Sequence, residues 1–189
     1  MHKLLAILAL SLIVSLGMAQ PTVDGTIADG EYASTVAHEE SGTNMYWTVE
    51  GDMLYFGMTM ESSGWTGVGF AQPDDVARGK AGYDQYMFNV VDGTPTAHDM
   101  YQEDARGEPV MDSDVGGADS VAEFAGTYEG EMWTVEFARP LNTGEETDAV
   151  IVPGETMLVT FAHGTTMDLD RRHERSSRGG AYVIEDFVF

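Results

Sequence analysis

The sequence predicts an all-β domain, an antiparallel immunoglobulin-like β-sandwich of about nine or more strands. Three observations carry that expectation. No long stretch repeats apolar residues at helical spacing, short segments alternate side chains at the two-residue period of a strand, and Gly, Asp, Asn and Pro clusters separate those segments. The pattern places strands at 46–49, 53–60, 64–70, 86–91, 96–101, 120–128, 132–139, 156–163 and 181–189.

The run from Trp47 to Phe70 shows the logic element by element. Glu50-Gly51-Asp52 supplies a turn, after which Leu54, Phe56, Met58 and Met60 alternate with Met53, Tyr55, Gly57 and Thr59. The next ribbon sets Gly64, Gly67 and Gly69 among Trp65, Val68 and Phe70. Glycine inside a strand costs stability, so this ribbon marks a wall that a ligand or another backbone approaches closely. Asp92-Gly93 is a further turn dipeptide, and Glu129-Gly130-Glu131 joins Phe124–Tyr128 to Trp133, Val135 and Phe137 as a second hairpin. Segments 71–84, 102–119 and 164–180 are long loops, a feature associated with function or with lack of fixed structure.

Residues 1–19 combine His2 and Lys3, an apolar run from Leu4 to Leu16, and the small residues Gly17 and Ala19 around Met18. That composition is expected of a secretory signal peptide, leaving 20–189 as a single domain with no membrane span. The expected location is the periplasm or the extracellular medium. The formal charge of −23 becomes −24 once Lys3 is removed, which argues against nucleic acid or an anionic membrane as partner. The absence of cysteine excludes disulfides, thiol chemistry and covalent c-type haem attachment. No nucleophile elbow, phosphate loop or dinucleotide fingerprint is present.

Several pieces in order resemble the DOMON family, the sandwich domain of dopamine β-monooxygenase and of cytochrome domains in some secreted dehydrogenases. They are Asp24-Gly25-Thr26-Ile27 with Gly30-Glu31-Tyr32, Trp47 to Asp52, Gly64 to Phe70, Asp84 after a loop, Phe137 to Gly144 followed by Asp148, and Phe161-Ala162-His163-Gly164. A histidine and Arg178-Gly179 then precede the last strand. The resemblance implies a sandwich with a ligand at one end, either b-type haem or a sugar-like molecule. It also implies that a methionine before the loop aspartate and a histidine near the C-terminus clamp the iron. His173 matches the histidine, whereas Lys80 stands at the methionine position.

A neutral lysine amine in a dry site can ligate iron, which makes Lys80 the candidate second ligand beside His173. Met87, three residues after Asp84, is the alternative ligand or else a core residue. His173 lies in a segment holding Arg171, Arg172, Arg175 and Arg178, four of the seven arginines, whose forked donors suit propionates or an acidic ligand. Trp65 either lines an apolar slot or stacks on a sugar, while Trp47 belongs to the core. His163 competes as a ligand from a strand end, and His98 is a weaker candidate. Asp112-x-Asp114-x-Gly116-Gly117 with Glu123 partly matches a calcium loop, but without flanking helices calcium is not expected there.

These readings converge on an exported domain that binds b-type haem non-covalently, passes electrons to a redox partner protein, and is not an enzyme. The alternative is a haem-free module in which Trp65, Tyr83 and the arginines hold a carbohydrate or other small polar ligand. The expected site is a cleft at one tip of the sandwich, walled by Gly64–Phe70 and closed by the segment carrying His173.

Overall fold

The computed structural model describes residues 20–74, 81–104, 107–173 and 181–189. The expected leader and the candidates Lys80, Arg175 and Arg178 therefore lie outside the described residues. In chain order the elements are β1 (Ser34–His38), β2 (Thr43–Glu50), β3 (Met53–Glu61), β4 (Thr66–Ala71), β5 (Asp84–Val91) and β6 (Thr94–Tyr101). There follow β7 (Val110–Met111), the single helical turn α1 (Asp112–Val115), β8 (Glu123–Glu129), β9 (Met132–Pro140), β10 (Thr156–His163) and β11 (Ala181–Val188). They form two antiparallel sheets, ordered β1-β2-β3-β9-β8 and β11-β10-β4-β5-β6-β7, so the expected sandwich is present. Among the described residues, no helix is long and apolar enough to cross a membrane.

The hairpins follow from local chemistry. Asp92-Gly93 and Gly130-Glu131 both take positive φ at two successive residues, the twist-matched two-residue turn that short antiparallel connections favour. β2 and β3 pair from Asn44↔Thr59 to Glu50↔Met53, as the Trp47–Phe70 alternation requires. β1 and β7 were not expected. β1 is five residues, Ser-Thr-Val-Ala-His, with no fully buried side chain and no apolar alternation to mark it, and β7 is two, too short to show a period.

The core lies between the sheets. Phe56 and Phe137 from one sheet meet Phe70, Tyr86 and Phe88 from the other, with Tyr86 stacked on Phe137 at 4.8 Å. Trp47 packs on this core against Phe187, as the sequence suggested. Arg139 of β9 crosses the gap fully buried. It pairs with Asp84 of β5, donates to the carbonyls of Ala149 (2.9 Å) and Pro140 (3.0 Å), and lies over the Tyr86 ring at 5.6 Å.

On the far side of the five-stranded sheet, Glu136 holds the N-terminal segment. Its carboxylate accepts the N–H groups of Asp24, Gly25 and Thr26 at 2.7–3.2 Å and the Tyr32 hydroxyl at 2.8 Å. Asp24-Gly25-Thr26 is thus a docked turn whose backbone donors are met by one buried acid.

Candidate functional site

β4 separates two environments by simple alternation. Val68 and Phe70 enter the core between the sheets, so Gly67 and Gly69 face the opposite side of the six-stranded sheet. Two cross-strand rows form on that outer face: Ala162–Gly67–Met87 and Thr160–Gly69–Gln85. Both glycines are there for space. A Cβ at Gly67 would stand 2.6 Å from the Met87 Sδ, and one at Gly69 would stand 2.9 Å from the Thr160 methyl. Over this floor lies a cavity of about 780 Å³, lined also by Trp65, Gln102, Leu169, Arg171, Arg172 and His173.

Hydrogen bonds from the sheet fix the segment that covers the cavity. Trp65 exchanges backbone bonds with Thr166 and Gly164, and its indole Nε1 donates to the Arg171 carbonyl at 3.0 Å. Gly164 must be glycine for this, because a Cβ there would lie 2.3 Å from the same indole. His98 donates to Asn89 at 2.9 Å, and Asn89 donates in turn to the Met167 carbonyl at 3.0 Å. On the other rim, Gln85 donates to Gln102 at 3.1 Å, and Gln102 donates to the carbonyls of Asp104 (2.8 Å) and Gly107 (3.1 Å). Both rims are therefore tied to the strands beneath them.

The lining divides by chemistry. Trp65, Met87 and Met100 form a buried apolar cluster with Leu169 and Met111 against it, separate from the main core. Arg171 and Arg172 are exposed at the mouth, where Arg171 Nε lies 3.4 Å from Asp168, and Glu108 also reaches the cavity. The arrangement can hold a flat, largely apolar molecule on the glycine floor with its anionic groups turned to the arginines.

The model of the DOMON domain family matches residues 39–164. The chain belongs to the DOMON family. Among solved structures, this DOMON domain is similar to the cytochrome b domain of pyranose dehydrogenase from Coprinopsis cinerea, with 13% identity, a TM-score of 0.54 and 80% of each chain covered. It is also similar to the cytochrome domain of Myriococcum thermophilum cellobiose dehydrogenase, with 10% identity, a TM-score of 0.50, and coverage of 80% of this chain and 81% of that one. At such identities the likeness establishes the shared fold. No curated protein matches the chain.

In this DOMON domain, Trp65, Met87, Arg172 and His173 line one cavity, as does the neighbouring Arg171. His163 and His98 are not among its lining residues, and His98 is hydrogen-bonded to Asn89 with its pKa lowered by burial, against the pull of Asp119. Tyr83 is buried away from the cavity. The sequence places this cleft at one tip of the sandwich, walled by Gly64–Phe70 and closed by the His173 segment. It lies on the outer face of the six-stranded sheet, because the glycines of β4 point away from the core. Of the residues in the partial calcium-loop pattern, Asp114 and Glu123 are exposed while Asp112 is buried.

Sequence reasoning missed Gln85, Gln102 and Thr160. Gln85 and Thr160 had a signal, since residues two before Met87 and two before Ala162 share their face. Gln102 had none, as it lies beyond the strand end of β6 and enters the rim through the loop it staples.

Proposed function

We propose that this protein is an exported DOMON domain that binds b-type haem non-covalently and carries electrons, with His173 and Met87 as the residues that would hold it. One observation carries the reading: an imidazole and a thioether line the same cavity, over a floor kept flat by Gly67 and Gly69. Its volume of about 780 Å³ is in the range of ligand and cofactor pockets, about 300–1,000 Å³. Lys80, outside the described residues, is the other candidate ligand. A bound b-type haem would supply one-electron redox chemistry here, and His173 with Met87 would hold it without offering a site to oxygen.

The chain's own groups have defined tasks in this reading. Trp65, Met87 and Leu169 keep water from the apolar part of the slot. Arg171 and Arg172, with Arg175 and Arg178 from the same segment, bind the propionates. The indole bond from Trp65 to the Arg171 carbonyl holds the arginine and histidine segment over the floor. The formal charge of −23, or −24 once the leader with Lys3 is removed, suits a basic redox partner protein and makes that encounter weaken with salt.

Visible absorption of protein purified after haem supplementation tests the reading. A sharp α-band on dithionite reduction is expected, weakened in His173→Ala and shifted in Met87→Leu but not in Lys80→Ala. A featureless spectrum in the unmodified protein overturns it. The second reading, a haem-free module for a carbohydrate or other small polar ligand, is favoured by Gln85, Gln102 and Thr160 standing beside Trp65. Under that reading the spectrum is empty and sugars quench tryptophan fluorescence.

A further inference from the structure

A second site lies between the sheets, on the opposite side of β5 from the cavity. Four carboxylates converge there from four different parts of the chain: Asp84 on β5, Asp99 on β6, Asp112 on α1 and Asp148 in the segment between β9 and β10. Asp84, Asp99 and Asp112 are 1%, 3% and 1% exposed, and the Asp148 side chain is fully buried. Arg139 is the one cation that an ion pair brings to them among the described residues, through Asp84 and, at 3.9 Å, through Asp148.

The carboxylates are only half satisfied. Asp84 Oδ2 is taken by Arg139 and by the Ala149 N–H at 3.0 Å, and Asp99 Oδ2 accepts the N–H and hydroxyl of Ser120, both at 2.7 Å. By contrast Asp84 Oδ1, Asp99 Oδ1 and Asp148 Oδ2 receive no hydrogen bond from the described residues, and both oxygens of Asp112 lack a donor at normal geometry, with the Thr147 hydroxyl and the Asp148 carboxyl as their near neighbours. A buried acceptor without a donor costs about 1–3 kcal/mol, more when charged, so five such atoms in one place need a compensating partner. The contrast with Glu136, whose two oxygens accept four bonds, is within one protein.

We propose that Asp84, Asp99, Asp112 and Asp148 form a calcium site that locks the two sheets together, distinct from the cavity of the functional reading and independent of it. One carboxylate oxygen from each of Asp84, Asp99 and Asp148 lies within 4.8 Å of the others. That spacing lets the three oxygens share one cation, and a protein cage of several carboxylates suits calcium, which takes about 6–8 oxygen ligands in flexible geometry, better than magnesium, which keeps several of its waters. Hard, purely oxygen donors exclude softer metals as the preferred occupant. Four carboxylates facing one guanidinium leave a formal −3, which a divalent cation reduces to −1.

A cavity of about 570 Å³ opens beside the cluster, lined by Glu103, Glu145, Glu146, Thr147, Gly116 and Gly117. Gly117 separates it from the cluster, since a Cβ there would lie 3.1 Å from the Asp112 Cβ and 2.5 Å from the Thr147 hydroxyl. The acidic lining of this neighbouring cavity attracts cations to the vicinity of the cluster.

The test uses the full chain, stripped with EDTA and dialysed. Calcium chloride at millimolar concentration is expected to raise Tm by about 5 °C or more over magnesium or sodium chloride at equal ionic strength. Terbium is expected to show emission sensitised through Tyr86, whose hydroxyl lies 3.5 Å from Asp84 Oδ2. Asp112→Asn and, independently, Asp99→Asn are expected to lose the calcium shift while melting, metal-free, no lower than the parent, because each removes one buried like charge. Asp114→Asn, an exposed acid in α1, keeps the shift. No calcium-specific shift together with no terbium emission overturns the proposal, as does full retention of the shift in both cluster variants.

Discussion

Strand β5 carries two environments on one backbone. Asp84, Tyr86 and Phe88 face the space between the sheets, where the chemistry is buried oxygen and aromatic carbon; Gln85 and Met87 face outward to a glycine floor, an indole and a thioether. The inner region is over-charged and under-bonded, while the outer one is apolar at its base and cationic at its mouth. The difference teaches how a two-residue period lets one strand serve a structural site and a ligand site at once, provided the register holds. A slip by one residue would put Asp84 outside and Met87 in the core.

The largest effect separates the inner region from the outer. Arg139→Leu leaves the carboxylates without their cation and is expected to cost about 3–5 kcal/mol in urea unfolding, the penalty of breaking a buried ion pair from one side. Calcium should return part of it. A loss below about 1 kcal/mol would mean that Arg139 does not organise the inner cluster.

Next, Gly67→Val drives a side chain toward Met87 Sδ, and overpacking of that kind costs about 1–3 kcal/mol. Haem uptake should be abolished although the domain still folds, as read by titration beside a melting curve. Unchanged uptake would remove the glycine floor from the site. Met87→Leu is milder, with a stability change below about 1.5 kcal/mol expected for a near-isosteric swap. Its effect should appear in the reduced spectrum and the redox potential and leave the calcium response of the inner region untouched.

The smallest effect is a pH dependence confined to the inner region. Burial pushes the Asp99 carboxyl up to about 6, against its bonds from Ser120, and that of Asp112 up to about 7, with Asp99 and Asp148 adding to the burial. Asp84 is also pushed up by burial, against the pull of Arg139. A carboxyl with a raised pKa in the folded state contributes stability that is present below its unfolded value of about 3.9 and lost as pH rises through the folded value. In EDTA, Asp99 and Asp112 are therefore expected to lower Tm as pH rises from about 4 to about 7, the loss levelling off above that, while calcium flattens the curve by competing with the protons. A flat profile in EDTA would show that Asp99 and Asp112 keep ordinary acidities.

Much of the fold was legible in the sequence. The segments read at 156–163 and 53–60 coincide with β10 and with all but the last residue of β3, because alternation and turn glycines are properties of adjacent residues. Trp65, Met87 and His173 were legible as site candidates for a similar reason: a glycine ribbon, a methionine near a loop aspartate and a histidine among arginines are all local patterns. β1 and β7 were not, since both owe their existence to the partner strand they edge.

By itself, then, the sequence determined the two-layer β architecture, the hairpins and the kinds of side chain available to a ligand. Only the tertiary structure decided that the cavity lies on the outer face of the six-stranded sheet, and that three of 32 acidic residues, Asp84, Asp99 and Asp148, converge in the interior near Arg139 with Asp112 beside them. Periodicity depends on near neighbours along the chain, whereas desolvation and Coulomb interaction depend on burial and distance in space, which no count of acids contains.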